Sequence, residues 1–237
     1  MSGDLGAEVV VRAAAATLDK YRNVELILVG DEKQLHELCG SIAPNSARLR
    51  VQHASEIVEM SEPPADALRR KKDSSMRVAI NLVKDGAAAA CVSAGNTGAL
   101  MATAKFVLKM LPGIDRPAIV AEIPTRDGSM HMLDLGPTTP STPDDLVEFA
   151  VRGSIIAAHI NRIDIPRVAL LNIGAEDIKG HETVKDAAAL LSASALNYVG
   201  FVEGNDLMSG KTDVVVTDGF TGTVALKTME GTVAVCK

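Results

Sequence analysis

Short apolar runs that close on glycine or a polar residue alternate with helical periods along almost the whole chain. That alternation constrains the fold more than any single motif. The runs are 24–30, 48–53, 87–93, 118–123, 130–135, 167–172, 197–202 and 213–217. Helical periodicity covers 7–20, a short stretch near 31–39, 64–72, 74–85, a segment from about 96, 143–160, 182–192 and a segment from about 221. Strands that take turns with helices imply a parallel sheet covered on both faces. The predicted fold class is therefore α/β, doubly wound around a mostly parallel sheet. Local signals set some boundaries. Ser74 or Asp73 stands ready to cap the helix over 74–85. Thr142-Pro143-Asp144-Asp145 opens the helix over 143–160, with Pro in the first turn and acids facing the positive end of the dipole. Turn residues at Leu111-Pro-Gly-Ile-Asp115 interrupt the pattern, so two α/β halves, 1–112 and 113–237, are expected within one catalytic unit.

What fills such a sheet follows from composition. The 237 residues are 47% hydrophobic but include no Trp, two Tyr and four Phe, so the core must be Ala, Val, Leu and Ile. Such cores suit strands buried on both faces. The formal net charge of −6 argues against a nucleic-acid partner, which needs a basic surface. An anionic partner must instead meet a local basic patch. Cys39, Cys91 and Cys236 have no metal-ligand spacing and are read as small buried hydrophobes; no metal and no cofactor is expected. No run reaches the roughly 18–20 apolar residues of a membrane span, and MSGDLG lacks the basic and apolar regions of a signal peptide, so the expected compartment is the cytoplasm.

In open α/β sheets ligands bind beyond the carboxyl ends of the strands. Five loops qualify: Ser93-Ala-Gly-Asn-Thr-Gly98, Asp134-Leu-Gly136, Asn172–Gly180, Glu203-Gly-Asn-Asp206 and Thr217-Asp-Gly-Phe-Thr-Gly222. Each carries glycine beside a polar or charged residue. Glycine lets the backbone approach a ligand closely, and the free N–H groups of a helix start favour an anion. Asn96 and Thr97 add side-chain donors. A tight turn with a cap explains one such loop equally well; five at one edge are harder to reduce to turns. GNTGAL lacks the Gly-Lys-Ser/Thr ending of a Walker loop, and no GxGxxG follows a strand, so an anion smaller than a nucleotide is the expected ligand. Lys179, between Asp177 and Gly180, is placed to neutralise phosphate or an oxyanion, or is a solvated surface lysine. Arg69-Arg70-Lys71-Lys72 is either a solvated helix end or the landing site of an acidic partner.

Several motifs together are more specific. SAGNTGALM, Asp115-Arg-Pro117, Leu133-Asp-Leu-Gly136, Pro166–Gly174 with Lys179-Gly180, Asp213–Gly222, and Leu226-Lys-Thr-Met-Glu-Gly231 closely resemble the bacterial phosphate acyltransferase family, PlsX, as does the RRKKDSSM run at 69–76. The resemblance runs through nearly the whole chain. It implies transfer of a fatty acyl group from acyl carrier protein to inorganic phosphate, giving acyl phosphate for phospholipid synthesis. It also implies a homodimer, a fold similar to the phosphotransacetylase and isopropylmalate dehydrogenase class, and action in the cytoplasm and at the inner membrane surface. On this resemblance Lys179, Thr223 and Asn96 are the expected catalytic residues. Ser93, Gly95, Thr97, Gly98, Asp134, Glu176, His181, Asp218, Gly219 and Thr221 are expected to bind substrate. Arg69, Arg70, Lys71 and Lys72 are expected to dock the acidic carrier protein. The chemistry agrees: phosphate is itself a nucleophile and a thiol of pKa about 8.5 leaves readily, so no Ser, Cys or His nucleophile is required. A short-chain phosphotransacetylase would need a coenzyme A site, and none is evident in the sequence.

Four departures from the family pattern stand out. The family begins with a strand ahead of an Ala-Met-Gly-Gly-Asp-like loop, of which Met1-Ser2-Gly3-Asp4 remains. It also continues past residue 237 with helices for the dimer and the membrane-facing tip. By that comparison the chain is a piece of a longer protein or a shortened relative. Inside the chain, Leu133-Asp-Leu-Gly-Pro-Thr-Thr-Pro140 replaces Leu-Asp-Leu-Gly-Ala-Asn-Val-Asp, and Thr223 stands where the family has Asn. Each interior change exchanges an amide for a hydroxyl. They raise the alternative of a catalytically weak homologue that binds phosphate or carrier protein without efficient turnover.

Overall fold

The structure, a computed structural model, describes residues 3, 5–42, 46–136, 140–176 and 178–236. The chain divides into two compact units, Met1–Pro117 and Ala118–Lys237.

The first unit contains α1 (Gly6–Lys20), β1 (Leu26–Gly30), α2 (Glu32–Ile42), β2 (Leu49–His53), α3 (Pro64–Arg70), α4 (Ser75–Lys84) and α5 (Thr97–Leu108). Strands β1 and β2 pair in parallel, from Leu26 against Leu49 to Gly30 against His53. Helices α1 and α2 cover them through Val11, Ala14, Leu35 and Leu38. A second core gathers Val58, Ala67, Met76, Ile80, Ala99 and Val107 from the loop after β2 and from α3, α4 and α5. Ser74 does cap α4, accepting the Arg77 N–H at 3.3 Å.

The expected strand over 87–93 is not formed. Its residues make no ladder, and Val92 is 98% exposed. Four consecutive alanines supply apolarity without the branched side chains that favour a pleated backbone. The buried-cysteine expectation fails with it: Cys91 and Cys236 are exposed and Cys39 is only half-buried. Cys236 is the exposed C-cap of the last helix.

The second unit runs β3 (Val120–Thr125), β4 (Gly128–Leu133), α6 (Pro143–Ile160), β5 (Val168–Leu171), α7 (Glu182–Ser192), β6 (Tyr198–Val202), a 3-10 helix (Gly204–Ser209), β7 (Val214–Val216) and α8 (Gly219–Val235). The sheet order is β3-β4-β7-β5-β6. Only the β3–β4 hairpin is antiparallel; β4, β7, β5 and β6 run parallel. Alternation along β7 shows why both faces need covering. Val214 and Val216 join a core with Leu146, Phe149 and Ala150 of α6 and Leu191 of α7. Val215 points the other way, into a core with Met130, Met132 and Ala169 that α8 packs against through Ala225, Leu226 and Met229. At Gly153 of α6 an added Cβ would lie 2.4 Å from Val214 Cγ1, so the helix rests on the strand at glycine distance. Helix α6 opens as expected: Thr142 Oγ1 accepts the Asp145 N–H at 3.2 Å, and the Asp145 carboxylate accepts the Thr142 N–H at 2.8 Å.

Candidate active site

Parallel strands place their carboxyl ends on one edge, so the loops leaving β4, β7, β5 and β6 are neighbours in that order. Asp134 follows β4 and is fully buried. Its Oδ1 accepts the Ile119 N–H at 2.9 Å and the Gly136 N–H at 2.8 Å, which folds the Asp134–Gly136 turn tightly. Helix α8 starts against this turn. An added Cβ at Gly222 would meet the Asp134 carbonyl oxygen at 2.0 Å, a distance only glycine permits. One residue on, Thr223 Oγ1 lies 3.0 Å from the Leu135 carbonyl and 2.7 Å from the Gly219 carbonyl. Asp218 caps α8: one oxygen accepts the Thr221 N–H at 3.0 Å and the other the Thr221 hydroxyl at 2.6 Å. The Gly219 and Phe220 N–H groups, first in the helix, have no carbonyl one turn back to receive them.

The loop after β5 is built on Asn172. Its Oδ1 accepts the Ile173 N–H at 2.9 Å and its Nδ2 donates to the Lys179 carbonyl at 3.1 Å, which brings the loop round. Gly180 adopts φ +92°, and a Cβ there would strike Asn172 Oδ1 at 2.1 Å. Lys179 folds back across Gly174 and pairs with Glu176 at 2.8 Å, both side chains in solvent. The hydrogen bond and charge of Glu176, reinforced by Glu203, hold the Lys179 ammonium above its ordinary range; the same hydrogen bond holds the Glu176 carboxyl below its own. His181 is the exposed N-cap of α7 and makes no side-chain capping bond. The expected ligand loop over Glu203–Asp206 runs into the 3-10 helix, where the Asp206 carboxylate is paired with Lys211 at 2.8 Å.

In the first unit, the loop over Ser93–Gly98 leads into α5. Ser93 Oγ accepts the Gly95 N–H at 3.2 Å, and Thr97 and Gly98 present the first helical N–H groups. Asn96 is buried, and both ends of its amide are engaged. Oδ1 accepts the Ala99 N–H at 3.0 Å, while Nδ2 lies 3.2, 3.0 and 2.8 Å from the carbonyls of Glu59, Met60 and Glu62. The side chain read from sequence as a donor to substrate thus has both ends engaged in holding the loop, and the donors left to the loop are backbone N–H groups. The basic run divides as well. Arg69, Arg70 and Lys72 are exposed at the end of α3, whereas Lys71 turns inward to Glu62 Oε2 at 2.6 Å and to the Ile57 carbonyl. Three of the four basic residues stay turned to solvent. Lys71 donation holds the Glu62 carboxyl below the usual carboxylate range.

Neither thiol for which a shift is resolved is an activated nucleophile. Desolvation pushes Cys91 and Cys39 upward, away from the thiolate. Asp4, Pro137–Thr139 and Asp177 lie outside the described residues, and with them most of the interior departure from the family pattern. A cavity of about 300 Å³ opens at the opposite, amino-terminal edge of the second sheet, between Asp127, Ser129, Asn161 and Arg167. Its guanidinium is consumed by Asp213, at 2.8 and 2.9 Å, and by the Gly210 carbonyl. Among the described residues no group of three or more His, Cys, Asp or Glu could hold a metal, and no helix is long and apolar enough to cross a membrane.

Comparison with known proteins decides the lineage. The family described as fatty acid synthesis protein matches residues 1–237. A phosphate acyltransferase of Nitrosococcus oceani is 58% identical over 98% of this chain and 68% of its own length. That of Methylococcus capsulatus is 57% identical over the same shares. The chain belongs to the phosphate acyltransferase family. Solved structures bear on the fold alone. The EutD phosphotransacetylase of Staphylococcus aureus superposes with a TM-score of 0.63 at 18% identity, covering 93% of this chain and 77% of its own. A branched-chain phosphotransacylase of Enterococcus faecalis gives 0.61 at 16%. The doubly wound α/β class expected from sequence is the class these neighbours share.

Within a phosphate acyltransferase framework, two residues that sequence reasoning left without a role become visible. Asn172 organises the lysine loop, and Gly222 seats α8 on the Asp134 turn. A polar amide directly after an apolar strand, ahead of Ile-Gly, was the available signal for Asn172. The glycine offered none, because its role is a distance to a backbone atom 88 residues away.

Proposed function

We propose that the protein transfers a fatty acyl group from acyl carrier protein to inorganic phosphate, forming acyl phosphate for phospholipid synthesis. The observation that carries this reading is the polar carboxyl edge of the second sheet, with Asp134, Lys179, Asp218 and Thr223 on neighbouring loops of a phosphate acyltransferase-family chain. A phosphate oxygen attacks the thioester carbonyl carbon, forming the C–O bond and a tetrahedral oxyanion. Collapse breaks the C–S bond, and the departing thiolate takes up the proton that the attacking hydrogen phosphate gives up. Lys179 supplies charge neutralisation, and the N–H groups that begin α8 supply donors for the oxyanion. No protein nucleophile takes part. Arg69, Arg70 and Lys72 receive the acidic carrier protein. The working protein is a cytoplasmic homodimer with peripheral access to the membrane surface.

One observation favours a second reading, a weak homologue that binds phosphate or carrier protein with little turnover. The Thr223 hydroxyl is spent on backbone carbonyls and offers substrate no free proton. Incubation with acyl–acyl carrier protein separates the two. Loss of thioester that depends on added phosphate supports transfer. Thioester that survives while both ligands bind supports the weak homologue, and hydrolysis indifferent to phosphate would overturn the transfer reading.

A further inference from the structure

Glu62 joins two features that lie far apart in the sequence. Its Oε2 accepts from Lys71 Nζ at 2.6 Å and from the Glu59 N–H at 3.1 Å, and the Glu62 N–H donates to the Glu59 carbonyl at 3.1 Å. The turn closed in this way presents three carbonyls, those of Glu59, Met60 and Glu62, to Asn96 Nδ2. Asn96 Oδ1 holds the Ala99 N–H at the start of α5. A continuous path therefore runs from the end of α3 through the Lys71–Glu62 pair and the 59–62 turn to the cap of the anion loop, all within the first unit.

Two physical points give the path leverage. The pair is half-buried, with side-chain exposures of 27% for Lys71 and 16% for Glu62, so solvent screens it less than an exposed pair. An amide nitrogen has two N–H bonds, and three carbonyl neighbours leave it one position that serves them. The shape of the turn thus sets where Asn96 sits, and Asn96 sets the direction of the Thr97 and Gly98 N–H groups.

We propose that Glu62 is a positioning residue for phosphate binding, acting through the 59–62 turn and Asn96 rather than through its charge. This rests on reading the Ser93–Gly98 loop as the phosphate cradle. The sign of one substitution separates positioning from electrostatics. Glu62→Gln removes a negative charge near an anion site, so an electrostatic role predicts tighter phosphate binding. Positioning predicts weaker binding, because the amide grips neither Lys71 nor the turn as firmly.

The test is a titration with inorganic phosphate, followed by the backbone amide NMR signals of Thr97 and Gly98. The parent should shift both signals to saturation. Glu62→Gln should bind roughly 2- to 30-fold more weakly, the range found for coupling through packed networks. Lys71→Met should move the same way, and Lys71→Arg should bind like the parent. An Arg69→Ser/Lys72→Ser double variant, which removes only exposed charge, should stay within about twofold of it. Absence of shifts in the parent would dispose of the cradle, and of the positioning role with it. Shifts in the parent together with equal or tighter binding by Glu62→Gln would overturn the positioning role alone. If the Gln variant does not fold, equal weakening by Lys71→Met and by the double variant would overturn it.

Discussion

Gly222→Ala sets two elementary effects against each other. Gly222 lies in the first turn of α8, where alanine is the better helix former by about 0.5–1 kcal/mol. Propensity alone predicts stabilisation. The structure predicts the reverse, because the new Cβ would sit 2.0 Å from the Asp134 carbonyl oxygen, 2.9 Å from Thr217 Cγ2 and 3.1 Å from the Asp134 carbonyl carbon. Two of these atoms are backbone and cannot rotate away. The helix start and the Asp134 turn must part by about 1 Å, and overpacking of this kind costs about 1–3 kcal/mol or more. For a chain of this length, a 3 kcal/mol loss lowers Tm by about 6–12 °C. The same displacement moves the start of α8 off the Asp134 turn, and a 1 Å misplacement near a reacting centre can reduce turnover about 100-fold. Gly231→Ala in the same helix is the control: nothing lies within 4 Å of its added Cβ, so it should stabilise by about 0.5–1 kcal/mol. Calorimetry on both variants, with phosphate-dependent thioester loss, checks the reasoning. A Gly222→Ala protein that melts at or above the parent temperature with unchanged turnover would refute it.

Thr223→Asn should raise phosphate-dependent thioester consumption by about tenfold or more, since a lost oxyanion-type donor typically costs 10²–10³ in rate; no gain in a folded, phosphate-binding protein would make the position structural only. Binding of acyl carrier protein should weaken steeply with salt and fall further in an Arg69→Glu/Arg70→Glu/Lys72→Glu variant, measured by calorimetric titration. Burial pushes Asp213 upward, but the hydrogen bonds and charge of Arg167 outweigh it and leave the carboxyl below its ordinary value. A lowered pKa contributes stability above the unfolded value, about 3.9, that is lost as pH falls through the folded one. Asp213→Asn should therefore cost about 1.5–3 kcal/mol at pH 7 in urea unfolding, with the difference from the parent shrinking below about pH 4.

Most of the second unit could be read from the chain because its signals are local. Val214–Val216 is a continuous branched run of the kind that only a strand buried on both faces uses, and Thr142 to Asp145 is a complete helix start. The segment over 87–93 misled because apolarity alone does not make a strand, which also needs branched side chains and a partner ladder; without them these residues stay mostly exposed. In the site, the position of the glycine loops and Lys179 at the strand ends of the second sheet was legible. The inward turn of Lys71 and the double engagement of Asn96 were not. Both depend on the 55–62 loop coming back across the helix ends, and nothing in the basic run distinguishes Lys71 from Lys72. Sequence showed which residues can carry charge or donate; only the fold shows which of them are already spoken for.

The order of strands across the second sheet has a consequence for how the chain is made. Of the five strands described in this sheet, β7 is made after the other four, yet it lies in the middle, with β4 on one side and β5 on the other. Until residue 216 emerges, the β3–β4 hairpin and the β5–β6 pair exist as two fragments whose inner edges face an empty slot. Each edge exposes an unpaired row of backbone donors and acceptors, the arrangement that invites pairing with another chain. Insertion of three valines then joins the halves in one event and closes both edges. Because that pairing spans more than 80 residues on the β4 side, it is a slow, non-local step. Newly made protein thus exposes both edges of this sheet to aggregation in the interval before β7 arrives, and a chaperone would act to good effect there.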